Sequence, residues 1–282
     1  MARDLGQLTS TGILAISFAV AALAGEPTSK VVFLDVGQGD SILLQDGMQQ
    51  ILIDGGKGDI VLERLAEEVP YFDRSIEVII STHPDQDHLE GLLHILQRYD
   101  VKLVLLPQAA KEDALQEAWL NLLHEKNIPY RFAWSGQTLS VGNMKLSILG
   151  PFDTDAARAA TRGNINNASV STRLDYNGLS FLLTGDAELQ AEQLLVHTLP
   201  LQLNVDILKA GHHGSNSSTH TPLIRAASPA AAVISVGADN TYGHPHPAVL
   251  QRLEGLRLWR TDEDGSVRFL FKNGQWLSAV AK

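Results

Sequence analysis

The chain has 282 residues, 44% hydrophobic and 19% charged, enough for one large α/β domain with a full core. A formal net charge of −10 argues against a protein that grips duplex DNA through a broad basic surface, because such binding depends on neutralising phosphates. A nuclease is not excluded, since bound metal ions act as local cations, and the absence of cysteine leaves the compartment open.

The N-terminal residues stand apart. Thr11 to Ala22 is an apolar run of about a dozen residues, short of the roughly twenty that a membrane-spanning helix needs. Ala22-Leu23-Ala24 follows as a small-residue cleavage pattern, and Gly25-Glu26-Pro27 then breaks the run. Residues 1–24 therefore read as a secretory signal peptide, with 25–282 as a single domain. The competing readings are an uncleaved anchor or a helix packed on the domain. Export to a secreted or periplasmic location is expected, with no stable membrane span after processing; without cleavage the location is cytoplasmic.

Ile51-Leu52-Ile53 is a short apolar run ending at Asp54. Gly37-Gln38-Gly39 lacks the third glycine of a dinucleotide fingerprint, because residue 42 is Ile42. Asp35, Asp40 and Asp54 read first as turn residues. Asp40 and Asp54 are also candidates to orient a ligand histidine from behind.

Val78-Ile79-Ile80-Ser81 is a buried-strand pattern, and Leu89 to Arg98 an amphipathic helix with Leu89, Leu92, Leu93 and Leu96 on its apolar face. Between them, Thr82-His83-Pro84-Asp85-Gln86-Asp87-His88 holds far more ligand-type side chains than a helix cap needs. His83 with Asp85, and Asp87 with His88, offer mixed nitrogen and oxygen donors suited to zinc or manganese. A strand end opening into a helix is where α/β sheets gather their chemistry.

Three further strand ends repeat the pattern. Asn177-Gly178 between Val170–Tyr176 and Leu179–Leu183 is a hairpin signal, and the second run ends in Thr184-Gly185-Asp186, with Asp186 placed to bridge two metals. Asp206 to Lys209 runs into His212, His213 and Ser215. Ala231 to Val236 runs toward Asn240, Tyr242, His244 and His246. A second hairpin is expected at Asn273-Gly274. His94, His124 and His197 sit alone in helical patterns and carry no expected chemistry.

Taken in order, Phe33-Leu34-Asp35-Val36-Gly37-Gln38-Gly39-Asp40-Ser41, Ile51 to Gly56, the His83 to His88 motif, Asn166-Asn167-Ala168-Ser169, Leu183 to Glu188, Leu208 to Ser215 and Tyr242 to His246 resemble the metallo-β-lactamase-fold hydrolases. Within them the chain resembles the hydrolase domain of ComEC-type DNA-uptake proteins. The resemblance covers roughly residues 31 to 275. It implies a four-layer αββα sandwich with one or two Zn or Mn ions at one edge. Asp85 stands where the superfamily motif usually has a second histidine, and Asn166 and Asn167 stand where a further ligand histidine is usual. These departures bear on the first metal position.

The mechanism implied is hydrolysis by a hydroxide shared between two metals about 3.5–4 Å apart. His83 and Asp85 are expected on one metal, Asp87 and His88 on the other, with Asp186 between. One of His212 and His213 is expected to complete the second site, the other to lie behind it or on the substrate. Asp87 doubles as the residue that orients the nucleophile, and His244 is a candidate proton donor or added ligand. Asn167, Lys209 and Ser215 are candidates for contacting substrate. The expected activity is that of a phosphodiesterase or nuclease taking a small-molecule or single-stranded nucleic-acid substrate; the oligomeric state is open. The alternatives are a hydrolase of a phosphocholine ester, lactone or β-lactam, or a non-catalytic metal-binding module. Asp85 and the missing histidine count against β-lactam hydrolysis.

Overall fold

A computed structural model describes residues 29–109, 111–160 and 163–281. The expected signal peptide at 1–24 lies outside these residues. In chain order the first half comprises β1 (Ser29–Phe33), β2 (Ile42–Asp46), β3 (Gln49–Ile53), α1 (Ile60–Glu68), β4 (Ser75–Ile76), β5 (Val78–Ile80), α2 (Gln86–Arg98), β6 (Asp100–Val101), β7 (Val104–Leu106), α3 (Ala114–Glu125) and β8 (Tyr130–Phe132). The second half comprises β9 (Thr138–Val141), β10 (Met144–Gly150), α4 (Asp155–Ala160), β11 (Ser171–Tyr176), β12 (Leu179–Leu183), α5 (Leu189–Thr198), β13 (Ile207–Lys209) and α6 (Thr221–Ala227). It ends with β14 (Ala231–Ile234), α7 (Pro247–Arg252), β15 (Arg257–Arg260), α8 (Thr261–Asp264), β16 (Ser266–Lys272) and β17 (Gln275–Ala281).

Both expected hairpins form. Tyr176 pairs with Leu179 across Asn177-Gly178, and Lys272 with Gln275 across Asn273-Gly274. All four turn residues have positive φ, which matches the right-handed twist of the flanking strands and suits Asn-Gly. The strands assemble into an eight-stranded sheet, β17-β16-β1-β2-β3-β5-β7-β8, and a seven-stranded sheet, β15-β14-β13-β12-β11-β10-β9, with β4 and β6 as a separate pair.

The alternating apolar positions of the two sheets meet in a shared core. Phe33, Phe181 and Phe269 lie at its centre, with ring centroids 5.4–6.4 Å apart. Each such burial contributes about 1.5–3 kcal/mol before entropy is counted. On the outer face of the first sheet, Val61 and Leu65 of α1, Leu92 and Ile95 of α2, and Trp119 and Leu123 of α3 pack against Val32, Leu52 and Ile79. Leu195 of α5 and Leu223 of α6 cover Leu182 and Leu208 on the outer face of the other sheet, while Val249 of α7 covers Ala232 and Ile234. The layers are helix, sheet, sheet, helix, as the resemblance implied. No helix among the described residues is long and apolar enough to cross a membrane.

The strand order explains where chemistry gathers. β3, β5, β7 and β8 are parallel to one another, as are β12 to β15, so their C-terminal ends collect at one edge of the sandwich. α2 begins at Gln86 rather than Leu89, because Asp85 takes the N-cap position and puts Asp87 and His88 into the first turn. Gly91 and Gly55 make this possible. A Cβ on Gly91 would run into the Gly55 carbonyl, so the helix reaches the β3 exit loop only with glycine at the crossing.

Candidate metal centre

His83 follows β5, and Asp87 and His88 open α2. Asp186 follows β12, and His212 and His213 follow β13. The fold brings these side chains to one point. Asp186 Oδ2 is that point, lying 3.3 Å from His88 Nε2, 3.4 Å from His213 Nε2, 3.7 Å from His212 Nε2 and 3.8 Å from His83 Nε2.

Hydrogen-bond bookkeeping fixes which nitrogen of each buried ring faces inward. His213 Nδ1 lies 3.0 Å from the Ser235 carbonyl, which only accepts, so Nδ1 carries the proton and Nε2 a lone pair. His88 Nδ1 donates to Asp54 Oδ2 at 2.8 Å, again leaving Nε2 free. Thr82 Oγ1 gives its one proton to Asp54 and therefore accepts from His83 Nδ1 at 3.0 Å. His83 Nε2 is then a buried acceptor with no hydrogen-bond partner, and Asp186 Oδ1 is another.

With the rings neutral, as metal binding requires, the result is a cluster of electron-rich atoms facing one another. His88 Nε2 and His213 Nε2 face each other at 3.2 Å, and Asp87 Oδ2 is 3.3 Å from His213 Nε2. With the Asp186 distances, these four donors are spaced 3.2–3.4 Å wherever two lie in contact. Four donors about 2.0–2.1 Å from a tetrahedral cation stand about 3.3–3.4 Å apart. His88, Asp186 and His213 therefore have the mutual spacing of ligands to one divalent cation, with Asp87 beside His213. A second set is looser: His83 Nε2 is 3.7 Å from Asp85 Oδ2 and 3.8 Å from Asp186 Oδ2.

Protonation in the protein alone follows the same logic. Burial opposes charging His88 and His213, but Asp186 and the other carboxylates outweigh it and hold both pKa values well above the ordinary value. A proton stands in for a cation there. His83 goes the other way. Burial and then the neighbouring His88 push it down to about 3 despite Asp186. Burial works against ionising Asp186 and Asp87, yet the facing histidines keep both well below the usual carboxylate range.

Behind the donors lies a layer of charged support. Asp54 is fully buried at φ 60°, and its carboxylate accepts from Thr82 N at 2.7 Å, Thr82 Oγ1 at 2.6 Å and His88. Asp40 Oδ1 lies 3.4 Å from His213 Nδ1, and its Oδ2 lies 2.7 Å from Lys209 Nζ. Asp40 offers an oxygen within 4.8 Å of the donor atoms of His88, Asp186 and His213; Lys209 holds its Oδ2, while its Oδ1 is buried without a hydrogen-bond partner. Burial resists ionising Asp40; Lys209, His213 and His88 prevail and hold its pKa low. Both aspartates orient imidazoles rather than merely shaping turns.

The three residues expected to contact substrate have other partners in the protein. Lys209 is fully buried and spends its ammonium on Asp40 and the Ala210 carbonyl, so it lies beneath the site rather than at a substrate. Asn167 is buried too. Its Oδ1 accepts from Glu188 N at 3.0 Å and Ala191 N at 3.2 Å, capping α5, while its Nδ2 bonds Gln190. Ser215 Oγ pairs with Ser217 Oγ at 2.9 Å and braces the loop around His212.

His244 stands further out, its ring 5.8 Å from that of His212 and stacked on exposed Tyr242. Burial, with His212 and His213 nearby, lowers its pKa and keeps it neutral. His246 caps α7 by accepting from Ala248 N. On the opposite rim, Lys111 Nζ lies 2.7 Å from Asp85 Oδ1, and a groove of about 730 Å³ lined by Lys111, Trp134, Phe152, Asn164 and Ile165 adjoins it. Ser169 links groove and centre: it lines the groove and accepts the Asp186 N–H at 3.1 Å. Lys111 lay in no motif of the sequence, and Glu188, which ends the Leu183 to Glu188 stretch, was given no role there.

A family model described as metallo-beta-lactamase superfamily matches residues 34–238. The chain is 30% identical to ComE operon protein 3 of Bacillus subtilis over 96% of its own length and 37% of that protein's. It is 32% identical to Recombination protein 2 of Haemophilus influenzae, covering 93% of this chain and 32% of that one. The chain thus spans about a third of each relative's length. Among solved structures, the metallo-beta-lactamase fold protein YhfI of Bacillus subtilis is similar in fold, with a TM-score of 0.57 at 13% identity over 86% of this chain and 99% of that one.

Proposed function

The chain belongs to the metallo-β-lactamase superfamily, and from that premise we propose that it is a divalent-cation-dependent phosphodiesterase acting on single-stranded nucleic acid. The observation that carries the reading is the carboxylate-rich donor set, in which Asp85, Asp87 and Asp186 face His83, His88 and His213. Carboxylates harden a cation site and suit it to ions, zinc or manganese, that meet phosphate oxygens. The relative named for recombination supports a nucleic-acid substrate.

Cations held by such donors supply a water of lowered pKa and charge to offset a developing phosphoryl oxyanion. The chain's own residues do the rest. Asp54, Asp40 and Ser235 hold the imidazoles in one tautomer, so no reorganisation is needed at the moment of reaction. Lys111 presents a cation at the rim, where an anionic strand arrives, and the adjoining groove receives the neighbouring nucleotide. His244, neutral and beside the opening, hydrogen-bonds the departing oxygen.

The test is a substrate panel. Reconstituted protein should cleave bis-p-nitrophenyl phosphate and single-stranded DNA, and Asp87→Ala should abolish both activities. Faster turnover of nitrocefin or a lactone, without cation-dependent phosphodiester cleavage, would reject the proposal. His244→Ala should lower turnover by about 10²-fold while the bound metal stays.

A further inference from the structure

We infer that His212, steered by Glu188, is the additional donor of the cation position formed by His83, Asp85 and Asp186. This rests on the two-cation part of the reading above and not on the substrate.

His212 and His213 are consecutive, with φ angles of 47° and 53°. Two adjacent non-glycine residues in the left-handed region are uncommon, and the consequence here is that their rings diverge, at an interplanar angle of 73°. His213 enters the four-donor set with His88 and Asp87. His212 instead approaches the shared Asp186 oxygen with its side chain 24% exposed, at the open part of the centre.

Its tautomer follows from its neighbours. Nδ1 lies 3.1 Å from Glu188 Oε1 and 3.2 Å from Ser217 Oγ. Ser217 gives its only hydroxyl proton to Glu188 Oε1 at 3.0 Å, so toward His212 it only accepts. Both neighbours of Nδ1 are acceptors, which places the proton there. Nε2 is left with a lone pair directed at Asp186 Oδ2, 3.7 Å away. Two electron-rich atoms at that distance repel unless a cation joins them. His83 Nε2 meets the same oxygen at 3.8 Å and is likewise a lone-pair donor.

Glu188 is itself held in place. Asn164 Nδ2 donates to its Oε2 at 2.6 Å, Asn166 Nδ2 to its Oε1 at 3.3 Å, and its own N–H goes to Asn167. Asn164 and Asn166 thus secure the carboxylate that orients His212, and Asn167 holds its backbone. Glu188 acts through His212 and is a positioning residue.

The experiment is a Mn²⁺ titration of the full chain by calorimetry, with bound metal counted by mass spectrometry after desalting. Wild type should take two equivalents. Glu188→Ala and His212→Ala should each weaken one of them by about 10–100-fold and leave the other within about twofold. His213→Ala should weaken the other equivalent, and combining it with Glu188→Ala should lose both. Glu188→Gln, which keeps an acceptor for Nδ1 and disturbs the fold least, should weaken the same equivalent by less than about tenfold. The inference is overturned if wild type saturates at one equivalent, if the Glu188 variants leave both affinities unchanged, or if they deplete the equivalent that depends on His213. Two equivalents bound without phosphodiester turnover would reject the proposed substrate and leave this assignment standing.

Discussion

The two halves of the centre are built differently. Around His88 and His213 the donors stand 3.2–3.4 Å apart, and each ring is tied from behind to Asp54 or to the Ser235 carbonyl. Around His83 the spacings are 3.7–3.8 Å, Asp85 is partly exposed and Lys111 competes for its other oxygen. One half is a finished cradle. The other is wider and adjoins the groove through Lys111. A closely spaced, preorganised set gives tight binding, whereas a wider one leaves room for an incoming oxygen. The difference predicts unequal cation affinities, with substrate entering at the weaker side.

The comparison breaks most completely at Asp186, the carboxylate that both halves share. Asp186→Ala should remove both equivalents of metal and take turnover to background, whereas Asp85→Ala should lose the His83-side equivalent alone. Metal counting alongside hydrolysis of bis-p-nitrophenyl phosphate checks both variants. Retention of one full equivalent by Asp186→Ala would show that the halves are independent.

The next effect is on stability. Lys209 and Asp40 form a buried pair beneath the tight half, both essentially without exposure. Lys209→Met strands the Asp40 charge and should cost about 3–5 kcal/mol, read as a lower midpoint in denaturant. Adding Asp40→Asn should recover most of the loss, because the desolvation penalty leaves with the charge. No recovery would mean that Lys209 stabilises through packing instead.

Much of this was legible in the sequence, for a physical reason. Ligands for one centre must converge, and in a sandwich with parallel strands they converge at strand ends, so His83, Asp186 and His213 each close an apolar run. Asn177-Gly178 and Asn273-Gly274 announced their turns because few other pairs accept positive φ twice. Lys209 and Asn167 misled because a short buried strand and a turn carry no periodicity that says which way a polar side chain points. Lys111 and Glu188 act across long sequence separations to Asp85 and His212, and no local pattern records such a pairing. Asp40 and Asp54 lay between these cases, since a turn aspartate and one that orients an imidazole look alike until the imidazole is placed.

Acidity should separate the halves as well. In the metal-free protein, His88 and His213 have raised pKa values, so their contribution to stability is complete below about pH 6.5 and fades as pH rises through those values. His83, depressed to about 3, contributes in the opposite sense: its term is present above about pH 6.5 and is lost as pH falls toward 3. Metal binding requires all three rings neutral and so releases the protons on His88 and His213. The stabilisation conferred by metal should therefore grow between about pH 6 and about pH 8. Melting temperatures with Mn²⁺ and with chelator across that range test it. A constant difference would mean that His88 and His213 are already neutral without metal.

The smallest expected effect lies at the open half. Lys111 is 42% exposed, and its contact with Asp85 raises its pKa, so it remains a full positive charge at the rim. An exposed ion pair contributes about 0–1 kcal/mol, so Lys111→Met should barely move the melting temperature. Its charge should instead be felt by the substrate, because the field of a rim cation reaches about 8 Å at physiological salt. The variant should raise KM for single-stranded DNA by up to about fivefold, leave kcat unchanged, and flatten the dependence of kcat/KM on salt. Bis-p-nitrophenyl phosphate, which has no neighbouring nucleotide to place in the groove, should show a weaker effect. A fall in kcat accompanied by loss of one metal equivalent would give Lys111 a different role, that of holding Asp85 in position for the cation, and would move it from the substrate to the open half of the centre.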